Sequence, residues 1–233
     1  MAQSSEGPLT VAAQFASERG TRALLTCAVV AGPLWWAAVL VQMLTRPGFD
    51  IRRHAISLLS LGDVGWIQVV NFIVAGTLLV AGALGMRRAL NGGRGGASGP
   101  LLVCAFGLGL IGAGLFAPDP LNGFPPGTPS SSGQLSGHGA LHVLFSSASF
   151  LSLIVAGGIV FARRFGELGQ RGLALYSVAA GVCLLVAWAA LVVTAARSGV
   201  VNVAFPGAVA ATWALITVVA AQLLGRRGPA SSS

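Results

Sequence analysis

The chain has no lysine, one tyrosine and six acidic residues among 233 positions, and only 9% of it is charged. A soluble globular domain carries about 25% charged residues, so this scarcity excludes the ordinary soluble class. Positive charge enters only as arginine, 14 residues for a formal net charge of +8. The arginines stand singly or in pairs at the ends of apolar runs and do not line one face. That placement excludes a nucleic-acid partner and marks them as topology signals. Cysteine is scarce too. Cys27, Cys104 and Cys183 each sit in a separate apolar run with no C-x-x-C spacing, which excludes a disulfide framework or zinc knuckle and predicts buried free thiols. The sequence lacks a Gly-rich phosphate loop, a G-x-S-x-G elbow and a haem motif. No Asp, Glu or Arg falls at mid-depth of an apolar run, which counts against a proton-coupled pump, a voltage sensor or a solute transporter. A cleavable signal peptide is not expected. About twenty mixed residues with Glu6, Glu18, Arg19 and Arg22 precede a first apolar run too long for an h-region.

What is abundant is hydrophobicity: 55% of residues, with a mean hydropathy of +0.81 and 33 glycines. A bilayer core takes about 20 mostly apolar residues per helix. Six runs satisfy this, at 23–45, 66–86, 100–118, 139–162, 173–195 and 207–225. With no water to pair backbone amides in lipid, each must be helical. The expectation is an all-α integral membrane protein, a six-transmembrane-helix bundle. Residues 23–225 would form the membrane domain between polar, disordered tails at 1–22 and 226–233. Ala105, Gly109 and Ala113 make a small-xxx-small face in the third span, and Pro33 predicts a kink in the first.

Ten arginines fall on one side of these spans: Arg19, Arg22, Arg87, Arg88, Arg94, Arg163, Arg164, Arg171, Arg226 and Arg227. Arg46, Arg52, Arg53 and Arg197 fall on the other. The positive-inside rule then predicts a multi-pass plasma (inner) membrane protein with both termini in the cytoplasm.

This topology gathers His54, His138 and His142, the only histidines, on the outer side with Asp50, Asp63 and Asp119. The first outer loop reads RPGFDIRRHAISLLSLGDVGW. Ile51, Ala55, Leu58 and Leu59 share one helical face, and Asp50, Arg53, His54, Ser57 and Ser60 the other. Asp50 as N-cap and Gly62 as stop predict a short helix lying in the interface. Its polar face is either simply solvated or aims His54 and Ser57 at a cleft. In the second outer loop Asp119 stands between two prolines, and the fourth span opens with His138 and His142. Residues i and i+4 share a helix face, so two imidazoles could reach one ion, and Ser146 and Ser149 continue the stripe inward. His54, Asp119, His138 and His142 are the candidate metal ligands, with zinc the candidate ion. The alternative is a hydrogen-bonded cluster that fixes the loops. Gln68 and Asn71 either face the same cleft or join helices. Trp66 suits an interfacial belt, and Trp35, Trp36, Trp188 and Trp213 read as packing rather than a ligand cage.

The segment RRHAISLLSLGDVGW, a span ending in Arg87-Arg88, then DPLNGFPPGTP and a glycine-histidine start to the fourth span resemble domain-of-unknown-function family 998. The resemblance covers about residues 23–225. It implies a six-helix bacterial membrane protein, and it carries His54, Ser57, Asp119 and His142 forward as site positions. A weaker likeness, in His138-x-x-x-His142, Ser57, Asp119 and one further histidine, is to the alkaline ceramidase and adiponectin receptor superfamily. That likeness implies a zinc-bound water attacking a lipid amide or ester, although the chain has six spans instead of seven. Two functional readings follow. One is a non-catalytic protein whose outer cleft of His54, Ser57, Asp119, His138 and His142 binds a lipid, small molecule or partner. The other is a metal-dependent membrane hydrolase.

Overall fold

The computed structural model describes residues 8–90, 96–130, 134–194 and 197–225. Helix α1 spans Pro8–Thr45, α2 Trp66–Leu90 and α3 Ser98–Leu115. Helix α4 (Gly137–Val155) passes through a π-helical turn (Ala156–Phe161) into α5 (Ala162–Glu167), followed by α6 (Arg171–Val193) and α7 (Gly199–Gly225). With α4 and α5 as one continuous rod, six helices are long and apolar enough to cross a membrane. The described residues contain no strand, only an isolated bridge between Leu121 and Phe124. This is a six-helix membrane bundle, as the hydropathy pattern requires.

The boundaries differ from expectation in instructive places. Helix α1 begins at Pro8, so residues 8–22 are helical and not a disordered tail. Residues 1–7 and 226–233, with Arg94, Arg226 and Arg227, lie outside the described residues. Helix α3 stops at Leu115, short of 118, because Pro118 restricts the residue before it. Helix α7 begins at Gly199 and runs through Pro206, where the sequence suggested a start at 207. Helix α1 likewise runs through Pro33. The interfacial helix is replaced by a single turn and a 3-10 segment. Arg53 and His54 donate their amides to Asp50 O, Ala55 is extended at φ −64° and ψ 144°, and Ile56–Ser60 forms the 3-10 turn. Asp50 Oδ1 accepts from Arg52 N at 2.9 Å, a local turn that competes with a longer helix.

Each span packs on its sequence neighbour and α7 closes the ring against α1. Lipid tails are as apolar as leucine, so burial alone does not drive this packing; close approach of small residues does. A Cβ built on Gly181 would lie 2.5 Å from Gly158 Cα, so the π turn and α6 touch backbone to backbone. On α3, Gly109 of the predicted small-residue face lies against Ser149 of α4, and Gly112 lies against the Phe145 ring. Trp213, only 2% exposed, stands at the centre with its ring 5.5 Å from Trp35 and 4.9 Å from Phe106. Large apolar side chains elsewhere face outward, Leu44, Leu175 and Val193 among the most exposed. The three cysteines are free as expected, but Cys27 and Cys104 are half-buried and Cys183 is exposed on the lipid-facing side of α6.

Candidate functional site

The α1–α2 and α3–α4 connections lie at one end of the bundle and form its cap. Their polar residues spend most of their hydrogen bonds on each other. His54 is buried; its Nδ1 accepts from Asp50 N at 2.9 Å and its Nε2 lies 3.2 Å from Asn122 O. A backbone N–H must donate and a carbonyl must accept, so His54 is the Nε2–H tautomer with both nitrogens committed. Asn122 Nδ2 donates back to Arg53 O at 2.7 Å. Arg46 donates to Leu59 O and Leu61 O and lies 5.6 Å from the centre of the Phe124 ring. Phe49, His54 and Phe124 form one aromatic cluster. On α7, Asn202 donates to Arg52 O at 3.0 Å. His54 is thus a clasp between loops.

Asp119 anchors the second connection. Its Oδ2 accepts from Ser136 N at 2.9 Å, while Ser136 Oγ caps α4 by accepting from Gly139 N. The Ser136 side-chain and backbone hydrogen bonds hold the Asp119 carboxyl below its usual range, assisted by the charges available to His138 and His142. A Cβ on Gly139 would collide with this carboxylate, which explains a glycine in that first turn.

The two histidines of α4 share a face, as their spacing requires. His138 stacks edge-on against Phe116, ring centres 5.7 Å apart. His142 is 5% exposed, and its Nδ1 lies 2.9 Å from both Ala113 O and Phe116 O. Two carbonyls can only accept, so Nδ1 carries the proton and makes a bifurcated bond to the end of α3. The shared face therefore meets the end of α3. Among the described residues no three His, Cys, Asp or Glu side chains are grouped closely enough to hold a metal. His54 has both nitrogens engaged inside the cap, and His54, Asp119, His138 and His142 are not brought together as one donor group, so the proposed set does not fit zinc.

Beneath the cap, the bundle holds a half-open cavity of about 440 Å³. Its walls are aromatic, with Trp35, Trp36, Trp188 and Trp213 joined by Phe72, Phe106, Phe150 and Phe205. Ser57, His142, Ser146, Ser147 and Asn202 supply the polar lining, and no charged side chain lines it. The 3-10 turn covers one side through Ala55, Ile56 and Ser57. The π turn and α6 touch at Gly158 and Gly181, while Val143, Ser146 and Ser147 of α4 and Trp188, Leu191 and Val192 of α6, nearer the cap, line the void. Of the expected site, Ser57 and His142 reach this cavity; His54, Asp119 and His138 do not line it. Sequence reasoning preferred packing to a ligand cage for Trp35, Trp36, Trp188 and Trp213; all four line this cavity. Gln68 and Asn71 join helices: Gln42 Nε2 donates to Gln68 Oε1 at 2.7 Å and Asn71 Nδ2 to Trp35 O at 3.2 Å.

A family model described as "Protein of unknown function (DUF998)" matches residues 29–222, all six spans in whole or large part. The chain belongs to this family. The match covers the cap and every residue that lines the cavity, so both are parts of the DUF998 domain itself. No curated protein and no solved structure matches the chain; the likeness to membrane ceramidases finds no support there or in the donor geometry.

Proposed function

We propose that this DUF998 protein is a non-catalytic membrane protein that binds a hydrophobic small molecule or single-chain lipid in the aromatic cavity beneath its cap. The observation that carries this reading is the cavity: about 440 Å³, within the ~300–1,000 Å³ of ordinary ligand sites, mostly apolar, with a few polar groups on its wall. Packed interiors have few voids larger than a water, and a void this large lined by eight aromatic rings is a ligand site in form. The cap residues hold the roof in place. The arginine distribution supports a location in the inner membrane with the cap outside and both termini in the cytoplasm.

The test is native mass spectrometry of the purified protein beside Ser146→Trp, which fills the cavity from α4. The wild type should retain a small apolar adduct, or take one up saturably, and the variant should lose it. Identical adduct patterns in the two proteins would sink the reading.

A further inference from the structure

The proposal above leaves the ligand's chemistry open, and the fixed tautomer of His142 narrows it. Three properties of the cavity act together. First, its lining contains no Asp, Glu or Arg, and a charged group held there would lose its hydration without a partner. Second, the space is limited: about 440 Å³ lies in the lower part of the range of small-molecule sites, which suits one chain or one ring system.

Third, one group of the polar wall has a definite hydrogen-bonding sense. Ser57, Ser146 and Ser147 carry hydroxyls that make no hydrogen bond with the described residues, and a hydroxyl both donates and accepts. His142 differs. Its Nδ1–H is held by Ala113 O and Phe116 O on α3. In an uncharged imidazole with Nδ1 protonated, Nε2 carries a lone pair and can only accept. Nε2 lies across the ring from the α3 carbonyls, has no partner among the described residues, and belongs to a side chain that lines the cavity. His54 makes the contrast plain, since both its nitrogens are spent inside the cap.

We infer that the cavity selects an uncharged, single-chain or single-ring amphiphile whose polar end is a hydrogen-bond donor, a hydroxyl above all, received by His142 Nε2. This rests on the ligand-binding reading of the same cavity.

The experiment compares four probes of nearly equal size on the wild-type protein in nanodiscs: 1-dodecanol, its methyl ether, dodecane and dodecanoate. It is run at about pH 8, where a histidine of ordinary acidity is uncharged. Fluorescence of the cavity tryptophans reports binding, scaled to each probe's mole fraction in the bilayer. The alcohol should bind about five- to tenfold more tightly than the ether, the value of one hydrogen bond, with dodecane and dodecanoate weaker still. His142→Leu removes the Nε2 acceptor and adds no other polar atom; it should bind alcohol and ether alike while still binding dodecane as the wild type does. Ether or alkane binding as tightly as alcohol in the wild type would overturn the donor inference and leave the cavity a ligand site. Tightest binding of dodecanoate would overturn it as well. No saturable response to any probe would overturn both readings.

Discussion

At the scale of the residue, Asp119 shows how a polar group on the cap works. Its carboxyl is held below the usual range first by the Ser136 hydroxyl and then by the Ser136 amide, at the positive end of the α4 dipole. A carboxyl depressed in the folded state adds stability that is complete above its unfolded value of about 3.9 and fades as pH falls through the folded value. Asp119→Asn should therefore melt below the wild type in detergent at about pH 6, and the gap should close as pH approaches about 3. A gap that widens on acidification would contradict the assignment. The i, i+4 spacing of His138 and His142 makes their common face legible in the sequence. What that face meets was not legible, because Ala113 O and Phe116 O come from the end of another helix, and a backbone carbonyl leaves no trace in a sequence. The same holds for His54, whose acceptor Asn122 O lies 68 residues away.

At the scale of the element, the six spans were readable because length and hydropathy alone decide them. Their ends were less so. The apolar run was placed from 207, yet α7 continues back through Pro206 to Gly199, with Asn202 tied to Arg52 O on the cap. The π turn at Ala156–Phe161 was invisible to a periodicity argument built on 3.6 residues per turn. It carries Gly158 into backbone contact with Gly181, and the spacing of α4 from α6 there sets the space above. Gly181→Val should force the two helices apart and lower the melting temperature, with a destabilisation of about 1–3 kcal/mol typical of overpacking. Gly166→Ala is the matched control, since nothing lies within 4 Å of a Cβ there; its effect should be small. Equal behaviour of the two variants would mean that the Gly158–Gly181 contact does not hold the bundle.

At the scale of the whole molecule, the cavity is a property of the ring and not of any one helix. Trp35 and Trp36 come from α1, Trp188 from α6 and Trp213 from α7, and no single-sequence pattern states that four rings on three helices turn toward one void. The chemistry of the lining also explains the distribution of charge. Every arginine is kept to the bundle ends and the loops, while the aromatic interior is left uncharged. That separation makes the orientation testable with the protein's own asymmetry. Connections on the cap side carry Arg46, Arg52, Arg53 and Arg197, and those on the opposite side carry Arg87, Arg88, Arg163, Arg164 and Arg171. The positive-inside rule counts arginines in short connections close to span ends, and these qualify. With the three native cysteines replaced by serine, Thr128→Cys on the cap should react with a membrane-impermeant maleimide on intact cells, and Gln170→Cys, between α5 and α6, should react only after the membrane is opened. The reverse pattern would place the cap and its cavity toward the cytoplasm. A ligand would then be drawn from the inner leaflet, and the arginine-rich connections would face outward against the rule.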